Sequence, residues 1–190
     1  VEAVPDSRVE RSCLTQLVDC IQATLVASPR LVAERKEDVG KALLCYAKLL
    51  QYDAQWGPAG DVHGALMDFA RSTNDTPRLL DSMLMRGYSL RMAGRLDEAS
   101  AAYAALRSAA ENAHDERYRL ESYLSDAKIA VERGNYGVAR DLLERTIEEA
   151  RNAECWVVVS KGLSDLATVA AIGGDLELSL RCSYEALELN

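Results

Sequence analysis

The chain has 190 residues, of which 27% are charged and 48% are hydrophobic, and its 22 Lys and Arg against 30 Asp and Glu leave a net charge of −8. This composition is typical of a folded globular protein and argues against wholesale disorder. No apolar run approaches the roughly 20 residues of a membrane-spanning helix. The acidity excludes a phosphate-binding surface spread over the whole protein. We therefore expect neither a membrane nor a nucleic acid as a partner.

Helical periodicity runs through the whole chain, with apolar residues recurring at i, i+3, i+4 and i+7. The capping box Ser7–Glu10 predicts a helix from there to about Val26. Ser28-Pro29 predicts the start of the next helical segment, which runs to about Asp53 and, because it contains Gly40, forms either one long helix or two short ones. The segment 55–60 carries the clearest predicted break, and Thr76-Pro77 opens the helix that follows.

Three glycines lie at equal spacing between helical patterns, at positions 94, 134 and 174. A large residue follows each glycine by two positions, and a small residue follows it by five. Gly60, which precedes Gly94 at a somewhat shorter spacing, is interpreted as a degraded copy of the same turn, followed by Val62 and Ala65. A fixed period of this length indicates stacked helix hairpins, each needing a turn residue that tolerates positive φ.

The segment from Gly87 to Tyr103 resembles the tetratricopeptide repeat family, through Gly87, Gly94, Leu96, Ala99 and Tyr103. Two further copies match around Gly134 and Gly174, and the 40-residue period is similar to the extended variant found in bacterial signal-responsive regulators. The full packing signature comprises Gly60, Ala65, Gly87, Gly94, Ala99, Tyr103, Gly134, Tyr136, Ala139, Gly174 and Leu176. The resemblance implies an all-α fold, a right-handed α-solenoid of stacked antiparallel helix hairpins.

The predicted organisation has three parts. Residues 1–43 form N-terminal helices, either separate or a degenerate repeat, residues 44–75 form a degenerate repeat, and residues 76–190 form three consecutive hairpins. Such arrays usually end in a helix with a polar outer face, and the third hairpin has none after it. We therefore expect either a fragment of a longer protein or a C-terminal end available for self-association.

The resemblance also implies a concave groove lined by the first helix of each hairpin. The candidate partner-binding residues are Met85, Tyr88, Arg91, Met92, Ser125, Lys128, Lys161 and Thr168. An alternative role for the two methionines is packing between hairpins. The subset of the family that clamps terminal carboxylates is not matched, because Leu84 and Asp165 replace two of its polar groove residues.

The predicted function is a non-enzymatic interaction scaffold that binds a protein segment or peptide in this groove. The alternative is the sensor domain of a larger regulator that responds to a small molecule or peptide. Catalysis is not expected, because the acidic residues of the segment 141–149 alternate with arginines as on an ordinary exposed helix face. His63 and His114 are expected at surface turns.

We expect no cofactor and no metal, since neither a phosphate-binding glycine motif nor metal-ligand spacing occurs. The five cysteines form no C-x-x-C pair. An odd number of this kind is typical of small core residues in a reducing compartment, which predicts a cytoplasmic protein.

Overall fold

A computed structural model describes Gln16 and residues 36–189, and within residues 36–189 it contains helices and turns but no strand. The eight helices there are α1 (Lys36–Tyr52), α2 (Trp56–Ser72), α3 (Thr76–Met92), α4 (Leu96–Ala113), α5 (Glu116–Glu132), α6 (Tyr136–Asn152), α7 (Trp156–Ile172) and α8 (Leu176–Glu188). The prediction of an all-α fold of consecutive helix hairpins is confirmed. Apart from the helical Gln16, the helix predicted from Ser7 lies outside the described residues, as does the start of the segment predicted from Ser28-Pro29, whose later part corresponds to α1.

The chain divides into two compact units, Val1–Ser89 and Leu90–Asn190, and the boundary falls within α3. In the first unit α1 packs on α2 around a core that includes Leu43, Leu50, Leu66 and Phe69. Each of these four side chains is at most 3% exposed.

In the second unit each helix from α4 to α8 packs on the next one, and α5 also contacts α7. Its core is aliphatic, with Leu120, Leu143 and Val158 almost fully buried. The α5–α7 contact places the first helices of two successive hairpins side by side.

Left-handed residues end the helices at regular intervals, at positions 54, 74, 94, 114, 134, 154 and 174. At each turn the amide after the left-handed residue donates to a helix carbonyl one turn back, as from Gln55 to Leu50 at 2.8 Å and from Arg95 to Leu90 at 2.9 Å. This is the Schellman pattern, which satisfies carbonyls that the end of a helix leaves unpaired. The repeating unit is therefore one helix with a short turn, and two of them make one period of the sequence repeat.

The structure corrects the predicted position of the first turn. The chain turns at Asp53–Gln55, with Ala54 at φ 56°, one full period before Gly94. Gly60 lies within α2, where it is buried, so it is not a copy of the turn glycine. The small residue equivalent to Ala99 is Ala59, which is fully buried, rather than Ala65. The predicted boundary between residues 43 and 44 falls inside α1.

Two of the large residues that follow the turn glycines are exposed rather than packed within the hairpins. Tyr136 is 42% exposed and Leu176 is 66% exposed. A large buried residue lies further into the second helix of each hairpin. His63, Tyr103 and Leu143 occupy equivalent positions there in successive hairpins and are each 1% exposed. The prediction that His63 lies at the surface is thus wrong. His114 is exposed and lies at a turn, as predicted, and its backbone there is left-handed.

Candidate functional site

The eight predicted partner-binding residues all lie on first helices of hairpins. α3 carries Met85, Tyr88, Arg91 and Met92, α5 carries Ser125 and Lys128, and α7 carries Lys161 and Thr168. Met85 and Tyr88 belong to the first unit, and the other six belong to the second unit.

The two candidates of the first unit are half-buried. The ring of Tyr88 packs edge-on against Trp56, with 5.7 Å between ring centroids and 87° between planes. Edge-to-face pairs of this kind add stability beyond the area that they bury. Tyr88 therefore has a packing role within its own unit.

In the second unit, Glu121 of α5 is a buried carboxylate held by two cations. Its Oε1 accepts from Lys161 Nζ at 2.9 Å and from Arg117 Nε at 3.1 Å, and its side chain is only 6% exposed. A buried carboxylate is tolerated only with such compensation. Lys161 occupies the position of α7 that is equivalent to Glu121 of α5, so equivalent positions of neighbouring hairpins carry opposite charges that meet across the α5–α7 contact.

A second cross-hairpin pair joins Lys128 of α5 to Asp165 of α7, with 3.1 Å between Nζ and Oδ2. Burial raises the pKa of the Asp165 carboxyl, while Lys128, Arg91 and Lys161 act in the opposite direction. Asp165 Oδ2 is itself buried and has no well-directed hydrogen bond. This oxygen thus faces the Lys128 ammonium, and the charges of Arg91 and Lys161 also favour its ionised form.

Arg91 of α3 forms the third pair, with Glu132 of α5. Arg91 also lies near Tyr103, and burial of that phenol raises its pKa. We call the six charged residues of these pairs the first-helix face: Arg91, Glu121, Lys128, Glu132, Lys161 and Asp165. The three pairs balance three cations against three anions, and Arg117 adds a further cation beside Glu121, although the chain as a whole is acidic.

The three remaining candidates, Ser125, Thr168 and Met92, lie on the same first helices but form no ion pair. Ser125 donates to the Glu121 carbonyl at 2.9 Å, and Thr168 donates to the Ser164 carbonyl at 3.1 Å. Each hydroxyl therefore donates its hydrogen bond within its own helix. Met92, which is 39% exposed, supplies an apolar side chain on α3.

The sequence places both the cations and the acidic residues of the first-helix face on first helices, but it does not predict that they pair with one another. The available signal was the recurrence of opposite charges about one repeat apart, as between Glu121 and Lys161 or between Arg91 and Glu132. That signal becomes meaningful only once the register of neighbouring first helices is known.

The acidic segment of α6 has the surface character that the sequence predicts. Glu144 pairs with Arg140 one turn earlier at 2.8 Å, and Glu149 pairs with Arg119 at 3.0 Å. Within the described part of the chain, no three His, Cys, Asp or Glu residues are grouped to hold a metal ion. No helix described there is long and apolar enough to cross a membrane.

No protein-family model and no curated protein matches the sequence. Among solved structures, the chain is similar to the crystal structure of BtubC (BKLC) from P. vanneervenii, with a TM-score of 0.56 and 12% sequence identity. The match covers 98% of this chain and 91% of that chain. At this identity the similarity shows a shared fold and nothing about function.

Proposed function

We propose that this chain is a non-enzymatic protein-binding repeat domain, and that the first-helix face of the second unit binds a segment of a partner protein. The observation that carries the proposal is the row of cross-hairpin ion pairs on α3, α5 and α7. Several of these side chains remain accessible, since Lys128 and Lys161 are 40% and 47% exposed.

The charge balance defines the chemistry of the partner. Each cation on the face already has an acidic neighbour, so a uniformly acidic or basic peptide would meet like charges on half of the face. A segment that carries both signs can pair with Lys128 and Asp165 at once, because their side chains are 40% and 26% exposed. Such complementarity sets specificity and register more than raw affinity. We therefore expect an extended, mixed-charge segment with an apolar residue near Met92.

The test uses peptides selected on the protein itself. A random dodecapeptide display library is panned on the full chain, and the selected peptides are synthesised and titrated by fluorescence anisotropy. The variant Lys128→Asp with Asp165→Lys reverses one pair but keeps its net charge. The control variant Arg140→Glu with Glu144→Arg reverses an exposed pair on α6 in the same way.

We expect the face reversal to weaken the selected peptides at least tenfold, and the control reversal to change their affinity by less than twofold. Circular dichroism establishes that both variants keep their helices. If the peptides bind the face-reversed protein as tightly as the original, the first-helix face is not the binding surface.

A further inference from the structure

The outer face of α8 carries an apolar stripe that consists of Leu180, Tyr184 and Leu187, which we call the α8 stripe. These three side chains are each at least 60% exposed. Leu180 and Tyr184 lie two residues before and after the buried Cys182, which at about 100° per residue places them on the opposite side of the helix. The stripe therefore points away from the core of its own unit and is accessible to another molecule.

The preceding hairpin shows that stacking a further hairpin would not cover Leu180 and Tyr184. Their equivalents on α6 are Arg140 and Glu144, which pair with each other at 2.8 Å. Although α7 and α8 follow them in the array, these two side chains remain 43% and 47% exposed. The two positions thus face solvent inside the array and suit an ion pair. Their occupation by leucine and tyrosine on α8 indicates a contact outside the stack of hairpins.

Two charged residues flank the stripe at the same spacing as its leucines. Arg181 follows Leu180, and Glu188 follows Leu187, so both pairs of residues are seven apart. Because seven residues are close to two helical turns, the leucines form one row along α8 and the charges form an adjacent row. Both charges are exposed, and neither forms an ion pair within the described part of the chain. Tyr184 lies in the middle of both rows.

This arrangement makes α8 complementary to a second copy of itself in the antiparallel direction. If Tyr184 of both copies lies at a two-fold axis, Leu180 of each copy faces Leu187 of the other. In the same register Arg181 of each copy lies beside Glu188 of the other. Such reciprocity is the requirement for a two-fold symmetric contact between identical chains. The charges that remain unpaired in one copy therefore find their partners in a second copy.

Charge also distinguishes this register from its neighbour. A shift by one helical turn would bring Leu180 opposite Tyr184 of the other copy, which again joins apolar side chains. That shift would also place Glu177 beside Glu188 of the other copy. Like charges in contact oppose association, so the register centred on Tyr184 is favoured.

We propose that two copies of this chain associate through α8, in an antiparallel two-fold contact centred on Tyr184. The α8 stripe supplies the apolar centre of the contact, and two reciprocal pairs of Arg181 with Glu188 set its register. The contact is small, because an interface of standard size buries about 800 Å² per partner and the stripe presents less than that. The dimer therefore forms reversibly at roughly 10–100 µM, and the protein is monomeric near about 1 µM.

Sedimentation equilibrium of the full chain between about 1 and 300 µM measures the dimer, and charge reversals on α8 test its register. Arg181→Glu alone and Glu188→Arg alone each replace the two opposite-charge pairs by like charges, and we expect each to weaken dimerisation at least tenfold. An equimolar mixture of these two variants restores opposite charges at both pairs. The mixture should therefore dimerise within about threefold of the unchanged protein. Any effect of the substitutions on the monomer alone would not be reversed by mixing.

Matched variants separate the stripe from other exposed side chains. Leu180→Glu should abolish dimerisation over the whole concentration range, whereas Leu49→Glu, at a similarly exposed leucine of the first unit, should have no effect. Reversal of the α6 pair, by Arg140→Glu with Glu144→Arg, should also leave the dimer unchanged. Circular dichroism establishes that every variant keeps its helices.

Photo-crosslinking of tyrosines locates the axis, because it joins tyrosine rings that lie in contact. Tyr184→Phe should remove most of the crosslinked dimer, whereas Tyr52→Phe, at a more exposed tyrosine, should not. A protein that stays monomeric throughout the concentration range overturns the proposal. Dimerisation that persists in Leu180→Glu shows that α8 is not the interface. If the two charge variants are weakened and their mixture does not recover, the antiparallel register is wrong.

Discussion

Lowering the pH should destabilise the first unit through one buried histidine. His63 is 1% exposed, and its Nε2 lies 3.2 Å from Gln51 Nε2. With Gln51 donating to Nε2, the ring proton lies on Nδ1, which has no hydrogen-bond partner. Burial lowers the pKa of His63 from 6.5 to about 4, because the imidazolium would be desolvated without a compensating anion.

The sign and size of the effect follow from linkage. Below pH 6.5 the unfolded chain takes up a proton at His63 that the folded chain excludes until about pH 4, so stability is lost as the pH falls through this window. The loss amounts to about 2 kcal/mol between pH 7 and pH 5, and to about 3 kcal/mol by pH 4. His63→Leu should remove this dependence. Leucine already occupies the equivalent position 143, and Gln51 keeps its hydrogen bond to Ser89.

The two tryptophans allow the first unit to be observed by itself, since Trp56 lies in the first unit and Trp156 in the second. In a Trp156→Phe background, urea unfolding followed by Trp56 fluorescence at pH 7 and pH 5 gives the stability difference. We expect the protein with His63 to lose about 2 kcal/mol more than the His63→Leu variant. Equal losses in the two proteins would refute the reasoning, because they would show that His63 titrates alike in the folded and unfolded chains.

Further predictions concern one turn residue, two glycines within helices and two exposed apolar side chains. Ala54→Gly should stabilise the protein by about 1 kcal/mol in urea unfolding, because φ at Ala54 is 56° and glycine adopts this conformation without a Cβ clash. Gly162→Ala should destabilise it by about 1–3 kcal/mol, since the new Cβ would meet the core. Gly137→Ala on α6, where a Cβ meets nothing within 4 Å, should instead stabilise it by about 0.5–1 kcal/mol. Leu180→Glu with Tyr184→Glu should lower the fluorescence of a bound hydrophobic dye at unchanged helicity, because these α8 side chains are 60% and 67% exposed.

Much of the fold could be predicted from the sequence because its cause is local. A helix end that needs positive φ favours glycine, so Gly94, Gly134 and Gly174 identify three turns from the sequence alone. Helical periodicity in turn predicts the helices on either side. Glycine does not mark the turns at Asn74 and His114, where the Schellman hydrogen bonds hold a residue with a Cβ in the left-handed conformation.

Burial and charge pairing were decided by the tertiary structure. The sequence marks His63 as a polar residue near a turn, and only the packing of α2 places it at the buried position that Tyr103 and Leu143 occupy in later hairpins. Likewise, the sequence shows Lys161 only as one more cation. Its pairing with Glu121, at 2.9 Å, depends on the side-by-side packing of α5 and α7. The repeat period predicts which positions are equivalent. The lateral register of neighbouring helices determines which of these positions touch, and that register depends on side chains far apart in the chain.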